Sequence, residues 1–275
     1  MAKREILLQS IAAILFGAMC FAFFRFVYPS DFFQKEQAEG LFTLGSFASY
    51  LDKPAWLVRY GGKVLMSFCG PSGAPFLITL VLLLEWRLLT LILKRFNVGG
   101  MASLYAFFPV VLEWGGYCHP TYLLHSILST IVSLSLFWGY TYIRNKWLSV
   151  LAGLLALPAI YFIAGNRLNF FVLLILFYEI GKDYRRWVYW GLLLVTGIMM
   201  PIWMGHFYSL SQEQAYLYPH NGLPSFFPPI LFCFSLLLLQ MKKFRNMAVR
   251  ALPVMATACT LLVLLGTFIL LLADF

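Results

Sequence analysis

Residues 75–94 read PFLITLVLLLEWRLLTLILK, twenty residues with three ionisable members, Glu85, Arg87 and Lys94. A helix rises about 1.5 Å per residue, so such a run spans about 30 Å, the thickness of a bilayer's hydrocarbon core. Its apolar run from Leu77 to Leu84 is interrupted only by Thr79, and the run from Leu261 to Leu272 only by Gly266 and Thr267. A lipid-facing barrel strand must alternate apolar and polar residues, so these runs exclude a β-barrel and predict membrane-spanning helices. The rest of the chain follows the same pattern. Of 275 residues, 61% are hydrophobic, 18% aromatic and 11% charged, and the mean hydropathy is +0.82. Soluble domains carry about 25% charged residues. Less than half that charge cannot cover a water-soluble surface, which excludes an ordinary cytosolic enzyme and a disordered chain.

The expected architecture is all-α, a polytopic transmembrane helix bundle of about nine spans, with seven as the lower bound. They lie near 6–28, 75–93, 100–114, 120–141, 147–164, 168–181, 187–207, 226–241 and 251–273. The third and sixth are short and must tilt, re-enter or be buried between longer neighbours. The first begins with Lys3 and Arg4 but ends in bulky Phe23, Phe24, Phe26 and Tyr28 without a small-residue cleavage site, so it reads as a retained span. The whole chain, 1–275, forms one integral-membrane domain.

Orientation follows from the loops. With the N-terminus in the cytoplasm, the inner loops collect thirteen basic residues: Lys3, Arg4, Lys94, Arg95, Arg144, Lys146, Lys182, Arg185, Arg186, Lys242, Lys243, Arg245 and Arg250. The outer loops collect five: Lys35, Lys53, Arg59, Lys63 and Arg167. The positive-inside rule therefore places the N-terminus in the cytoplasm of a bacterial inner membrane. It also explains the formal charge of +9 without nucleic acid as a partner. The lipid bilayer is the partner the composition demands.

Two connections are long, and both fall outside: 29–74 after the first span and 208–225 before the eighth. The first is rich in aromatics. Segments near 31–51 and 54–68 are expected to form amphipathic helices in the interface, with Pro54 starting the second. That loop could also dock a membrane or envelope protein partner. Cys69 and Cys118 are the two cysteines in outer connections, and a disulfide between them is compatible with an oxidising compartment.

Candidate chemistry rests on ionisable residues. Glu85 lies nine residues before Lys94, about 13 Å up a helix, which is near mid-membrane. Arg87, two residues on, faces almost the opposite way and can snorkel. An intramembrane carboxylate is costly and reads either as a proton or substrate contact or as a buried interhelical hydrogen bond. At the outer side, Asp31 and Glu36 follow the first span and fit a general base or metal ligand. Glu113 and His119 flank the turn between spans three and four, with His125 further into span four. Arg167, in the turn between spans five and six, could hold a phosphate or pair with Glu113. No GxGxxG, phosphate-loop lysine, HExxH or GxSxG is present, and no CxxC spacing supports a metal or redox centre. Nothing in the sequence names a cofactor.

Phe24-Arg25-Phe26-Val27-Tyr28-Pro29, Gln34-Lys35-Glu36-Gln37, Leu41-Phe42-Thr43 and Leu51-Asp52-Lys53-Pro54, with the spans through Glu179-Ile180-Gly181, carry a resemblance. Over roughly the first two thirds, the chain resembles bacterial multi-span membrane proteins grouped only under a domain-of-unknown-function name. Members of that group are usually longer, which implies a shortened or split member. The resemblance lends no catalytic residues. The layout is also weakly similar to multi-span glycosyltransferases that use lipid-linked sugars, with Asp31 and Glu36 at the positions of their outer carboxylate.

Three functions stay open on these residues. The chain is expected foremost to be a non-enzymatic subunit or scaffold of an envelope complex. It could instead be a glycosyltransferase-like enzyme using Asp31 or Glu36, with Arg167, Glu113 and His119 holding substrate. The third reading is a small-solute transporter using Glu85.

Overall fold

The computed structural model describes residues 2–29, 33, 43–96, 102–118, 122–182, 186–219 and 227–240. Among these, every regular element is helical: α1 Ala2–Phe26, α2 Leu44–Leu51, α3 Trp56–Arg95, α4 Ala102–Tyr117, α5 Leu124–Tyr140, α6 Lys146–Ala164, a 3-10 turn Gly165–Arg167, α7 Leu168–Lys182, α8 Trp187–Phe207, α9 Gln212–Leu217 and α10 Phe227–Gln240. Four stretches are long and apolar enough to cross a membrane: Gln9–Phe26, Trp56–Arg95, Lys146–Lys182 and Trp187–Phe207.

The longest element, α3, is the hub. It packs against α1, α2, α4, α5 and α6, and most extensively against α5. Its 40 residues would run about 60 Å if straight. They do not, because Gly70 breaks the helix at φ 64° and ψ 177°, a conformation that only a residue without Cβ adopts readily. Pro71 follows at once and cannot donate an N–H back across the break. The residues near 54–68 are helical from Trp56 onward, and the break at Gly70 separates this first arm from the one that holds 75–93. Beyond the break, Pro75 leaves its own carbonyl to accept from Thr79 Oγ1 at 2.7 Å. A stripe of Ile78, Leu82, Leu89, Ile92 and Leu93, each at most 1% exposed, then faces the bundle.

The helices alternate between two ends. One end, here the loop end, gathers Tyr28 and Tyr117, whose hydroxyl and carbonyl bond at 3.1 Å, together with α2, α9 and the Gly165–Arg167 turn. The opposite, basic end holds Lys94, Arg95, Arg144, Lys146, Lys182 and Arg186. There Trp86 Nε1 donates to the Ser103 carbonyl at 2.8 Å, tying α3 to the start of α4. Asn145 caps α6, its side chain accepting from the Trp147 and Leu148 amides.

The two short helices α4 and α7 pack among several neighbours. α4, 16 residues, packs against α3 and α10. α7, 15 residues, packs against α5, α6, α8 and α10. Around them the outer faces of α1, α6 and α8 carry exposed Ile14, Leu15, Leu151, Leu155 and Val195. Apolar surface on that scale is costly in water and natural in lipid.

Lipid-soaked helices gain little by trading lipid for one another's apolar side chains, so small residues and polar pairs hold such bundles. Gly153 of α6 lets the Tyr189 hydroxyl come to 2.1 Å from where a Cβ would sit, and Gly197 of α8 does the same for Val172 Cγ2 at 2.8 Å. Aromatic edges close the α1–α4 seam, with Phe24 and Tyr117 T-shaped at 5.6 Å.

The expected second loop, 208–225, contains α9, a capping-box helix with Ser211 and Gln214 bonding reciprocally. Cys69 and Cys118 are free thiols rather than a disulfide. The Cys118 Sγ, just past the end of α4, instead donates to the Trp114 carbonyl at 3.5 Å. The ninth span, 251–273, and most of 30–42 lie outside the described residues.

Candidate functional site

Three ionisable side chains from three elements are sealed inside the bundle: Glu85 of α3, Glu113 of α4 and Arg167 of the turn before α7. They are 1%, 0% and 1% exposed. α5 supplies the polar groups between them. Its Ser126, Ser129, Thr130 and Ser133 are all at most 3% exposed, and their i, i+3, i+4, i+7 spacing draws one polar stripe down an otherwise apolar helix.

Thr130 bridges the two opposite charges. Arg167 Nε donates to its hydroxyl oxygen at 3.1 Å. The hydroxyl donates to Glu113 Oε1 at 3.2 Å, with the Ser126 carbonyl as its other acceptor at 3.3 Å. The second oxygen of Glu113 accepts from the Tyr122 hydroxyl. Ser133 Oγ donates to the Arg167 carbonyl at 3.2 Å, fixing the turn that carries the guanidinium. Glu85 completes the group and interacts electrostatically with both Glu113 and Arg167. Among the described residues its Oε2 is buried without a hydrogen-bond partner. Two carboxyl groups thus face one guanidinium in a place where an unbalanced charge is expensive.

Of the sequence candidates, the bundle brings Glu85, Glu113 and Arg167 together. Arg87 is exposed on the other side of α3, as its spacing from Glu85 requires. Asp31, Glu36 and His119 lie outside the described residues. Sequence reading missed Thr130 and Tyr122. The stripe of four hydroxyl residues on α5 was the signal for Thr130; nothing local marked Tyr122. Among the described residues, no three His, Cys, Asp or Glu side chains gather as metal ligands.

A second network closes the basic end. Glu179, 1% exposed, accepts from the Tyr140 hydroxyl at 2.9 Å and pairs with Arg186. Tyr140 and Tyr189 share a hydrogen bond at 3.2 Å. The other arm of Arg186 donates to the Lys146 carbonyl at 3.0 Å and to Ser149 Oγ at 3.1 Å. Both carboxylate oxygens of Glu179 are bonded, so this network reads as a clamp on α5, α6, α7 and α8 rather than a working site.

The sequence profile of DUF6057, described as a family of unknown function, matches residues 4–272. The chain belongs to this family. The match runs well past the first two thirds, where the sequence resemblance was strongest, and takes in both polar networks. No curated protein and no solved structure matches the chain. Family membership therefore brings a shared fold but no activity, and the chemistry must be argued from the site.

Proposed function

We propose that this DUF6057 member is a multi-pass inner-membrane carrier, with seven to nine spans and a cytoplasmic N-terminus, that moves a proton through the Glu85–Glu113–Arg167 cluster in step with a small solute. The supporting observation is the convergence of three sealed ionisable groups with one carboxylate oxygen left unbonded. In the sequence Glu85 stands alone. In the bundle it gains a second carboxylate and a cation, the parts a proton needs to change hosts without leaving a bare charge in oil. Thr130, which can accept from Arg167 while donating to Glu113, is the switchable link between them.

The test uses purified protein in liposomes on a solid-supported membrane, with the external pH stepped. Wild type gives a transient charge movement above that of empty liposomes, and Glu85→Gln and Glu113→Gln lose it. Wild type indistinguishable from empty liposomes rejects the proposal.

The non-enzymatic subunit is the second reading. It is supported by the aromatic shelf at the loop end, where Phe47 stacks edge-on against Trp56 and Tyr60 at 5.8 and 5.2 Å and Leu51 and Leu57 stay exposed. Such a shelf suits an envelope protein partner. It leaves the three buried charges without a use, which is why it ranks second. The transferase reading rests on Asp31 and Glu36, and it needs Arg167 to reach a phosphate from a fully buried position.

A further inference from the structure

The loop end holds a second concentration of charge, of one sign. Arg59 and Lys63 lie one turn apart on the first arm of α3. The Arg59 guanidinium sits over two rings that come from different segments, Tyr50 of α2 at 5.3 Å and Tyr218 after α9 at 5.2 Å. The Lys63 ammonium shares the Tyr50 ring at 6.0 Å. His125, at the start of α5, interacts electrostatically with Arg59, Lys63 and Arg167 and bonds the backbone of Pro219. Its main chain comes to 3.4 Å from the Cβ position of Gly62, between the two cations.

This arrangement is built, not incidental. The strap that carries Tyr218 is stitched to the bundle: Asn166 donates through its amide to the Tyr218 carbonyl at 3.0 Å and through Nδ2 to the Leu217 carbonyl at 2.8 Å. The Tyr161 hydroxyl donates to the Ala215 carbonyl at 2.9 Å. An exposed lysine or arginine snorkels freely, but Arg59 is held between two rings. Among the described residues its Nη1 is buried and has no hydrogen-bond partner. Among the described residues no carboxylate pairs with Arg59 or Lys63. Like charges gathered in a partly desolvated place need an anion. The placement also bears on which anion: thirty-one residues separate Lys63 from Lys94, at most about 46 Å of helix, which matches a bilayer measured headgroup to headgroup.

We propose that Arg59 and Lys63, walled by Tyr50 and Tyr218 and backed by His125, form a binding site for a phosphate-bearing anion at the headgroup level of the outer leaflet. Planar guanidinium and point-charge ammonium together match a phosphate's oxygens. The site stands on the loop-end geometry, and the charge-movement experiment on Glu85 leaves it untouched.

The test is thermal unfolding of the detergent-purified protein in two arms. One arm adds inorganic phosphate against chloride at matched ionic strength. The other adds phosphatidylglycerol against phosphatidylcholine. A rise in Tm of about 2–4 °C in either arm, lost in Lys63→Gln and in Arg59→Gln, supports the site. A rise with phosphate identifies a soluble phosphate ligand, and a rise with phosphatidylglycerol alone identifies a lipid headgroup. If Arg59→Gln does not fold, Lys63→Gln decides, since that side chain only edges the Tyr50 ring. No rise in either arm, or a rise that survives Lys63→Gln, overturns the proposal.

Discussion

Thr130 places one hydroxyl where two opposite charges need it. Valine has nearly the same shape without that hydroxyl, so Thr130→Val strands Arg167 Nε and Glu113 Oε1 in the bundle interior. Leaving such groups unsatisfied costs about 1–3 kcal/mol, more where charge is involved. The expected outcome is a lower melting temperature in detergent for Thr130→Val and near wild-type behaviour for Thr130→Ser; equal stability of all three would show that the bridge carries no weight. At the basic end, Gly153→Ala would put a methyl group 2.1 Å from the Tyr189 hydroxyl and 3.6 Å from the Tyr140 ring. Overpacking of this kind costs about 1–3 kcal/mol. Gly153→Ala is expected to unfold at lower temperature, and Gly153→Ala with Tyr189→Phe to recover part of the loss, because the oxygen that clashes is gone. Glu85 and Arg87 could be singled out from the sequence because charge in an apolar run is conspicuous, and Arg167 because it is the one cation in the turn between two such runs. Tyr122 could not, because an aromatic hydroxyl at a helix start is ordinary until its partner, nine residues away, is known to be buried.

Among the elements, the turn between α6 and α7 matters most, since it presents Arg167 to the core and Asn166 to the α9 strap. Gly165 allows it, at φ 69°. A Cβ there would meet the Tyr218 carbonyl at 2.7 Å and Pro219 Cδ at 2.8 Å. Gly165→Ala therefore combines left-handed backbone strain, about 1–2 kcal/mol, with a clash against the strap. It is expected to lower stability and to speed proteolysis within 208–219, whereas Gly191→Ala, which meets nothing within 4 Å, serves as the control. A protease pattern unchanged by Gly165→Ala would mean the strap is held elsewhere. The break at Gly70 is the other special joint. The sequence alone ends the outer loop at 74 and begins a span at 75, and its separate segment near 54–68 does not announce a helical arm that starts at Trp56 and leads into this break.

For the whole molecule, the decisive property is which end faces the cytoplasm. The charge asymmetry predicts that a cysteine at Asn145 is labelled by an impermeant maleimide only in opened cells, and one at Ser209 in intact cells, each in a cysteine-free background. The reverse pattern would invert the bundle and move the Arg59–Lys63 site to the inner leaflet.

That helices form here, and roughly where the main apolar ones lie, was already present in the chain. Hydrocarbon as solvent leaves a backbone no other way to satisfy its polar groups, and basic residues mark the turns. Eight of the nine expected spans fall on described helices, and among the described residues four stretches meet the length and hydropathy of a full crossing. The meeting of Glu85, Glu113, Thr130 and Arg167 was not available in that way. Thr130 lies 17 residues from Glu113 and 37 from Arg167, and turning a helix by one residue, about 100°, would carry its member of the group away from the others. Their partnership is a property of how α3, α4, α5 and the Gly165–Arg167 turn pack, because side-chain convergence across helices depends on rotation and depth, which one-dimensional periodicity leaves open.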